Sequence, residues 1–196
     1  MKQVALLVHG IFDKGKIFES LAEYLLQFGI ESIYPDIEPN DGSESLDVLA
    51  RQVSRHVEAI REQECRLYLV GYSMGGLICR YYMQALGGMH KIDRWVTISS
   101  PHHGTLTASI FWGKGVKQMR VGSTFLERLN KSVDSLKNVP LLSLWTPYDL
   151  MIVPAHSSRL PIGENIAVDC LAHPLMYTNK FVLKRIGDFL QERSEN

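Results

Sequence analysis

The sequence has few cysteines and no excess of either charge, and both shortages exclude classes of protein. Its three cysteines, Cys65, Cys79 and Cys170, lie far apart and lack the paired spacing of a zinc site or a disulfide framework. We expect all three to be buried and reduced. Lysine plus arginine total 21, as do aspartate plus glutamate, so no overall positive field exists to attract nucleic acid.

Long apolar runs are also missing. No run approaches the roughly 18 residues that a membrane span requires, and the apolar stretch at residues 4–8 is too short for the core of a signal peptide. We therefore expect a cytoplasmic protein without a transmembrane segment. The 196 residues, 45% of them hydrophobic, suit one compact domain that spans residues 1–196.

Strand-length apolar runs alternate with helical stretches along the chain. This order predicts parallel strands joined by crossover helices, the α/β class. The runs show little polar alternation, as expected for strands covered on both faces. We predict strands at about 3–8, 30–34, 66–70, 94–99, 140–145 and 164–169. We predict helices at about 17–28, 44–63, 75–86 and 175–191.

A serine lies in a predicted strand-turn-helix connection. Residues 66–70 form the strand, Gly71-Tyr72-Ser73-Met74-Gly75-Gly76 follows, and a helix comes next. Glycines two residues before and after the serine remove the Cβ atoms that would collide as strand and helix close together. We expect Ser73 to stand at the carboxyl edge of the sheet with a positive φ.

With these motifs the whole chain resembles the α/β-hydrolase family, and within it the small bacterial lipases and esterases that have almost no cap. The resemblance rests on four stretches: Val8-His9-Gly10-Ile11, the serine turn at residues 71–76, Ser100-Pro101-His102-His103-Gly104-Thr105, and Gly122-Ser123-Thr124-Phe125-Leu126. Tyr72 departs from the pattern, because many such lipases have histidine there. The departure bears on the substrate class and leaves the implied mechanism intact.

In this fold the nucleophile, the acid and the histidine follow one another in that order along the chain. The resemblance implies Ser73 as the nucleophile. Asp149 lies just past the fifth predicted strand, where the acid is expected, and Asp169 at the end of the last strand is the competitor. His173 follows the last strand and is the expected base, whereas His156 lies in the loop before that strand.

Two backbone N–H groups are expected to bind the oxyanion of the acyl intermediate. The residue after the nucleophile, Met74, supplies one of them. By resemblance the second comes from Ile11, with Phe12 as the neighbouring possibility, and apolar side chains at both positions can form part of the wall of an acyl pocket. His9 is expected to support this loop.

The histidines after the fourth strand are expected to brace a turn. Adjacent side chains point in different directions and no carboxylate at ligand spacing accompanies His102 and His103, so we predict no metal site.

The connection over residues 105–138 is longer than a simple crossover and is the predicted lid-like segment. Phe111 and Trp112 precede Gly113 and Gly115, which suit regular helix poorly. We expect the two aromatics to form a mobile wall of the acyl site, which would favour esters with short or medium acyl chains. The spacing of Phe125, Leu126 and Leu129 is that of one face of a helix, and we expect this helix to pack against the sheet.

The leading functional hypothesis is a serine hydrolase that cleaves carboxylic esters through an acyl-enzyme and needs no cofactor. Its expected partner is a small ester, with lipid-derived esters included. A thioesterase, amidase or acyltransferase would use the same residues, so the sequence leaves these alternatives open. A noncatalytic binding protein on the same fold is a third hypothesis.

Overall fold

The computed structural model describes residues 1–192 and consists of one sheet covered by helices on both faces. The strands are β1 (Lys2–Val8), β2 (Ile30–Ile33), β3 (Cys65–Tyr72), β4 (Arg94–Ile98), β5 (Leu141–Trp145) and β6 (Glu164–Ala167). The helices are α1 (Glu19–Leu26), α2 (Leu46–Arg61), α3 (Met74–Ala85), α4 (Lys114–Gln118), α5 (Thr124–Lys131) and α6 (Lys180–Gln191). The predicted α/β class is confirmed, and each predicted strand overlaps an observed one.

The six strands lie in the order β2-β1-β3-β4-β5-β6, and every neighbouring pair is parallel. Alternate residues of β1 enter two separate cores. Leu6 packs with the residues of α2 and α3, whereas Leu7 packs with those of α1 and α6. Because both faces are buried, the strands lack polar alternation. The parallel arrangement brings all carboxyl ends of the strands, and the loops that follow them, to one edge.

The last helix begins later than predicted. Residues 173–178 form a 3₁₀ helix with Pro174 in its first turn, and α6 starts only at Lys180. The side chain of Asn179 accepts hydrogen bonds from the N–H groups of Phe181 and Val182. This capping satisfies two donors that the first helical turn leaves free, and His173 lies at the start of the 3₁₀ helix that precedes α6.

Glycine in the lid-like segment serves close packing, contrary to the prediction that it opposes helix. The short helix α4 starts directly after Gly113 and contains Gly115. A Cβ on Gly113 would stand 2.1 Å from the carbonyl oxygen of Gly42, and one on Gly115 would stand 2.5 Å from that of Glu44. Backbone N–H groups of Lys114 and Gly115 donate to the loop at residues 42–43. This part of the segment is therefore anchored to the body of the protein.

The second half of the segment is helix, as its spacing predicts, and its buried face joins the core on one side of the sheet, where it contacts α3 and α4. The Phe125 ring stacks on Tyr81 of α3, with centroids 5.4 Å apart. The buried face of α5 is formed by Phe125, Leu126 and Leu129.

All three cysteines are buried and free, as predicted. Among residues 1–192, no helix combines the length and the apolar character needed to cross a membrane.

Candidate active site

Ser73 occupies a strained turn between β3 and α3. Its backbone has φ 52° and ψ −122°, and its N–H donates to the carbonyl of Ile98 at 2.8 Å. The positive φ agrees with the expectation from sequence. A Cβ on Gly71 would lie 2.5 Å from Cα of Gly76, and one on Gly75 would lie 2.1 Å from the carbonyl oxygen of Val8. Both glycines are therefore required for the close approach of β1, β3 and α3 around the serine.

The amino terminus of α3 begins at Met74, directly after the serine. The N–H groups of a first helical turn have no acceptor within the helix, and the helix dipole places partial positive charge there. The Met74 N–H is thus a donor beside Ser73, in the place that the sequence analysis assigns to it.

His9 orients the loop that follows β1. The Ile37 N–H donates to His9 Nε2 at 2.8 Å, so the ring proton is on Nδ1, which donates to the Gly10 carbonyl at 2.9 Å. In a trans peptide the carbonyl and the N–H point in opposite directions. The Ile11 N–H therefore points away from the buried His9 ring. The loop passes close to Ser73, since a Cβ on Gly10 would lie 3.0 Å from Cβ of that serine.

A second anchor separates Ile11 from Phe12. The Phe12 N–H donates to the carbonyl of Asn40 at 2.7 Å, and the Asn40 side-chain amide donates back to the carbonyl of Asp13. The N–H of Phe12 is therefore engaged, whereas that of Ile11 has no acceptor among residues 1–192. This favours Ile11 over Phe12 as an oxyanion donor.

His173 and Asp149 form a buried pair at the carboxyl edge of the sheet. His173 Nδ1 lies 2.7 Å from Asp149 Oδ2. The other carboxylate oxygen accepts from the N–H groups of Met151 and Ile152 at 2.9 and 2.8 Å. Three hydrogen bonds thus fix the carboxylate. Within the described chain Asp149 is the carboxylate bonded to His173, and Asp169 makes no such bond.

Tyr72 connects the histidine to the serine turn. Its hydroxyl donates to the backbone carbonyl of His173 at 3.3 Å, and the two rings lie 5.0 Å apart. An edge-on contact with Tyr177 holds the other side of the phenol ring. Burial, and then the negative charge of Asp13, raise the pKa of Tyr72, so the phenol stays neutral. The residue that departs from the lipase pattern therefore helps to hold the histidine.

A small apolar cavity of about 50 Å³ opens beside Ser73. Phe12 and Phe111 both line it, and their rings lie in tilted contact with centroids 6.3 Å apart. The arginine Arg120 donates to the carbonyls of Ala108 and Phe111 and so braces this wall. Further lining residues are Ile11, Ala108, Val116, Met119, Met151 and Ile152. Trp112 is 86% exposed and does not line the cavity, unlike its neighbour Phe111.

The paired histidines point in different directions, as predicted. His102 is fully buried, with Nε2 3.3 Å from the Thr97 hydroxyl and an edge-on contact to Trp95. His103 is exposed, and its N–H donates to Ser157. Among residues 1–192, no three side chains of His, Cys, Asp or Glu are grouped as a metal site requires.

Two residues near the serine escape the sequence analysis. Asn40 holds the loop after β1 from a distant part of the chain, and no local pattern announces it. Asp13 places a carboxylate beside Tyr72, Tyr177 and His173. Its signal in the sequence is faint: a lone acidic residue directly after the apolar pair at residues 11–12.

Comparison with known proteins gives a family match for most of the chain. The model of the family described as "Palmitoyl protein thioesterase" matches residues 5–148. The match includes the loop after β1 and the serine turn, and it ends just before Asp149. Lysosomal thioesterase PPT2 of Mus musculus is 31% identical over 103 residues, which are 50% of this chain and 34% of that protein. The human PPT2 is 32% identical over the same shares. The matched part is thus about a third of the relatives' length.

Solved structures with low sequence identity share the fold. The mature Bacillus licheniformis lipase BlEst2 superposes with a TM-score of 0.79 at 16% identity, covering 96% of this chain and 92% of the lipase. Lipase B of Aspergillus fumigatus gives a TM-score of 0.83 at 16% identity, covering 97% of this chain and 53% of the lipase. Together with the parallel sheet and the serine turn, these matches show that the chain has an α/β-hydrolase fold and belongs to the palmitoyl protein thioesterase family.

Proposed function

We propose that the protein is a serine hydrolase that cleaves acyl thioesters, and carboxylic esters by the same route, through an acyl-enzyme. Ser73 is the nucleophile, His173 the general base and Asp149 the acid that orients the histidine. The observation that carries the proposal is the buried pair of His173 and Asp149 at the sheet edge where Ser73 stands in its strained turn. The family match supports the same chemistry.

The proposed reaction has two steps. His173 takes the proton of the Ser73 hydroxyl as Oγ bonds to the acyl carbon, and it returns that proton to the sulfur or oxygen of the departing group as the old bond breaks. Water then attacks the acyl-enzyme by the same route and releases the acid. Asp149 holds the proton of His173 on Nδ1, which leaves Nε2 free to accept from the serine.

The backbone N–H groups of Met74 and Ile11 are the proposed oxyanion donors. Each donor of this kind contributes about 3 to 4 kcal/mol to transition-state stabilisation when judged by its removal in a well-studied protease. The bond from His9 to the Gly10 carbonyl supports the role of Ile11, because it fixes the direction of that peptide before substrate arrives.

The apolar cavity beside Ser73 is the proposed seat of the acyl chain. Its walls carry Phe12 and Phe111, and apolar walls of this kind bind aliphatic chains by removing them from water. Trp112 is proposed only as part of the outer rim, because it does not line the cavity.

A cytoplasmic location of the protein stays a prediction.

A matched pair of substrates tests the function. We expect a thioester and an oxygen ester with the same acyl group to be hydrolysed by the wild type, with the thioester favoured as the family match indicates. Ser73→Ala should lower kcat/KM on both by roughly 10³-fold or more. The variant retains the space around the serine, so its thermal unfolding should match that of the wild type. Equal turnover by wild type and Ser73→Ala on both substrates would contradict the proposal.

A further inference from the structure

Asp13 carries a half-buried carboxylate that no neighbouring group neutralises. Among residues 1–192, no donor or cation bonds to its side-chain oxygens, and the adjacent Lys14 directs its ammonium to Asp36 at 3.8 Å. Burial raises the pKa of Asp13, while the nearby His9 and His173 act in the opposite direction. A carboxylate held partly out of water without a partner is unfavourable for folding, so its presence beside the serine turn points to a functional reason.

The carboxylate lies close to the reacting centre. Its Oδ2 and the Cβ of Ser73 each lie 3.0 Å from the point where a Cβ on Gly10 would stand. Burial, and then the charge of Asp13, raise the pKa of Tyr72 and Tyr177, both of which belong to the surroundings of His173. Asp13, Ser73 and His173 therefore border one space.

Asp13 borders this space but not the apolar cavity beside Ser73. In the described chain the apolar cavity is lined by Ile11, Phe12 and Phe111, and Asp13 is not part of its wall. The histidine returns a proton to the departing atom, so the leaving group must stand beside His173. With the acyl chain in the apolar cavity, the departing group lies on the side of the carbonyl that Asp13 faces.

We infer that Asp13 is a specificity-determining residue, which selects thiol or alcohol leaving groups with a positive charge close to the scissile bond and disfavours those with a negative charge there. The inference rests on the proposed hydrolase function. Charges in a partly desolvated cleft attract or repel more strongly than they do in bulk water. Asp13 also lies near His173, so its charge acts on the imidazolium in the same way for every leaving group, and only the ratios between leaving groups report the selection.

Three thioesters with the same short acyl group test the inference. Their thiols are thiocholine, which carries a quaternary ammonium, 3,3-dimethylbutanethiol, its uncharged carbon analogue, and 3-mercaptopropionate, which carries a carboxylate. For the wild type we expect kcat/KM to fall in that order, with the cationic and anionic substrates separated by on the order of 10-fold or more. Added salt should reduce the separation.

Asp13→Asn keeps the shape and the backbone contacts of the loop and removes the charge. We expect this variant to lose the separation between the cationic and anionic thioesters, whatever common change it makes to kcat/KM on all three. Glu19→Gln, which removes an exposed charge at the start of α1, is the matched control and should retain the wild-type ratios.

A ratio between the cationic and anionic thioesters that stays unchanged in Asp13→Asn would overturn the inference. This includes the case in which kcat/KM falls equally on all three thioesters, which would make Asp13 a structural or catalytic part. Asp13→Ser, with a small neutral side chain, distinguishes a loop defect specific to asparagine from loss of the charge. Failure of the proposed hydrolase function would give a different result from failure of the inference about Asp13: thioester hydrolysis would survive in Ser73→Ala.

Discussion

The Asp149 carboxylate reaches His173 with one oxygen and two backbone N–H groups with the other. These contacts hold the carboxylate in a single orientation, so the histidine proton stays on Nδ1. An asparagine in this place could turn its amide toward the ring and stabilise the wrong tautomer, as happens in the serine proteases. Replacing one carboxylate oxygen of Asp149 by an amide nitrogen would therefore disturb the orientation of His173.

At the residue scale we predict that Asp149→Asn and His173→Ala each lower kcat by roughly 10³-fold or more, because the members of a triad act as a unit. Steady-state hydrolysis of an activated thioester measures the effect, and circular dichroism checks the fold. Asp169→Asn is the control, since that side chain makes no bond to His173. Near-normal turnover in Asp149→Asn together with a loss in Asp169→Asn would exchange the two assignments.

At the element scale, the first part of the lid-like segment differs from the rest. Phe111 lines the cavity beside Ser73 and its carbonyl is held by Arg120, whereas Trp112 points to solvent. Neighbouring aromatics thus have different surroundings, although the sequence analysis gives them the same role. The helix α4 that follows is anchored to the loop at residues 42–43.

We predict that Phe111→Ala changes the preference for acyl length, because it removes an apolar wall of the cavity. A series of thioesters with graded acyl chains should show the optimum move toward longer or bulkier chains. Trp112→Ala is the matched control and should keep the wild-type profile, and both variants should retain the wild-type Tm within a few degrees. Identical shifts in the two variants would show that the cavity is not the acyl site.

The elements around the serine could be predicted because their signals are local. A strand, a glycine-flanked serine and a helix follow one another without a break. The sharp turn at Ser73, between Gly71 and Gly75, can therefore be predicted from the local sequence alone. From the sequence, Gly113 and Gly115 are expected only to oppose regular helix at their own positions. Only glycine fits at these two positions, because a Cβ would collide with the carbonyl oxygens of Gly42 and Glu44. The low helix propensity of glycine does not reveal these contacts, which come from a distant part of the chain.

The surroundings of the proposed triad are harder to predict from the sequence for the same reason. The partner of His173 could be expected from the order of strands, but the contacts from Tyr72 and Asn40 arise only when loops from different strands meet at one edge. Asp13 cannot be picked out from the sequence, because its importance depends on the lack of a positively charged partner within the described residues. Such an environment exists only in the folded chain.

At the scale of the whole molecule, the buried His102 links stability to pH. Burial, and then the charges of Arg80 and His103, hold the pKa of His102 well below 6.5 in the folded protein. Burial also lowers the pKa of Arg80 to about 9. In the unfolded chain His102 regains its ordinary pKa, so that state binds more protons as the pH falls below 6.5.

The sign of the effect follows from this difference. The contribution of His102 to the free energy of unfolding is complete above pH 6.5 and is lost as the pH falls toward the folded pKa, at up to about 1.4 kcal/mol per pH unit. We predict that His102→Gln unfolds with a flatter pH dependence below that point. Urea unfolding at several pH values measures the slope. His90→Gln, at an exposed site, should retain the wild-type slope, and an equally steep slope in His102→Gln would contradict the account.

Labelling with an active-site phosphonate probe shows whether Ser73 is the nucleophile. A fluorophosphonate reacts with a serine hydroxyl only where a general base activates it. We predict one adduct per chain, on the peptide that contains Ser73 and on no other serine, when labelled protein is digested and analysed by mass spectrometry. The adduct should be lost in Ser73→Ala and strongly slowed in His173→Ala. Labelling that persists in Ser73→Ala, or that lies on another serine, would contradict the account.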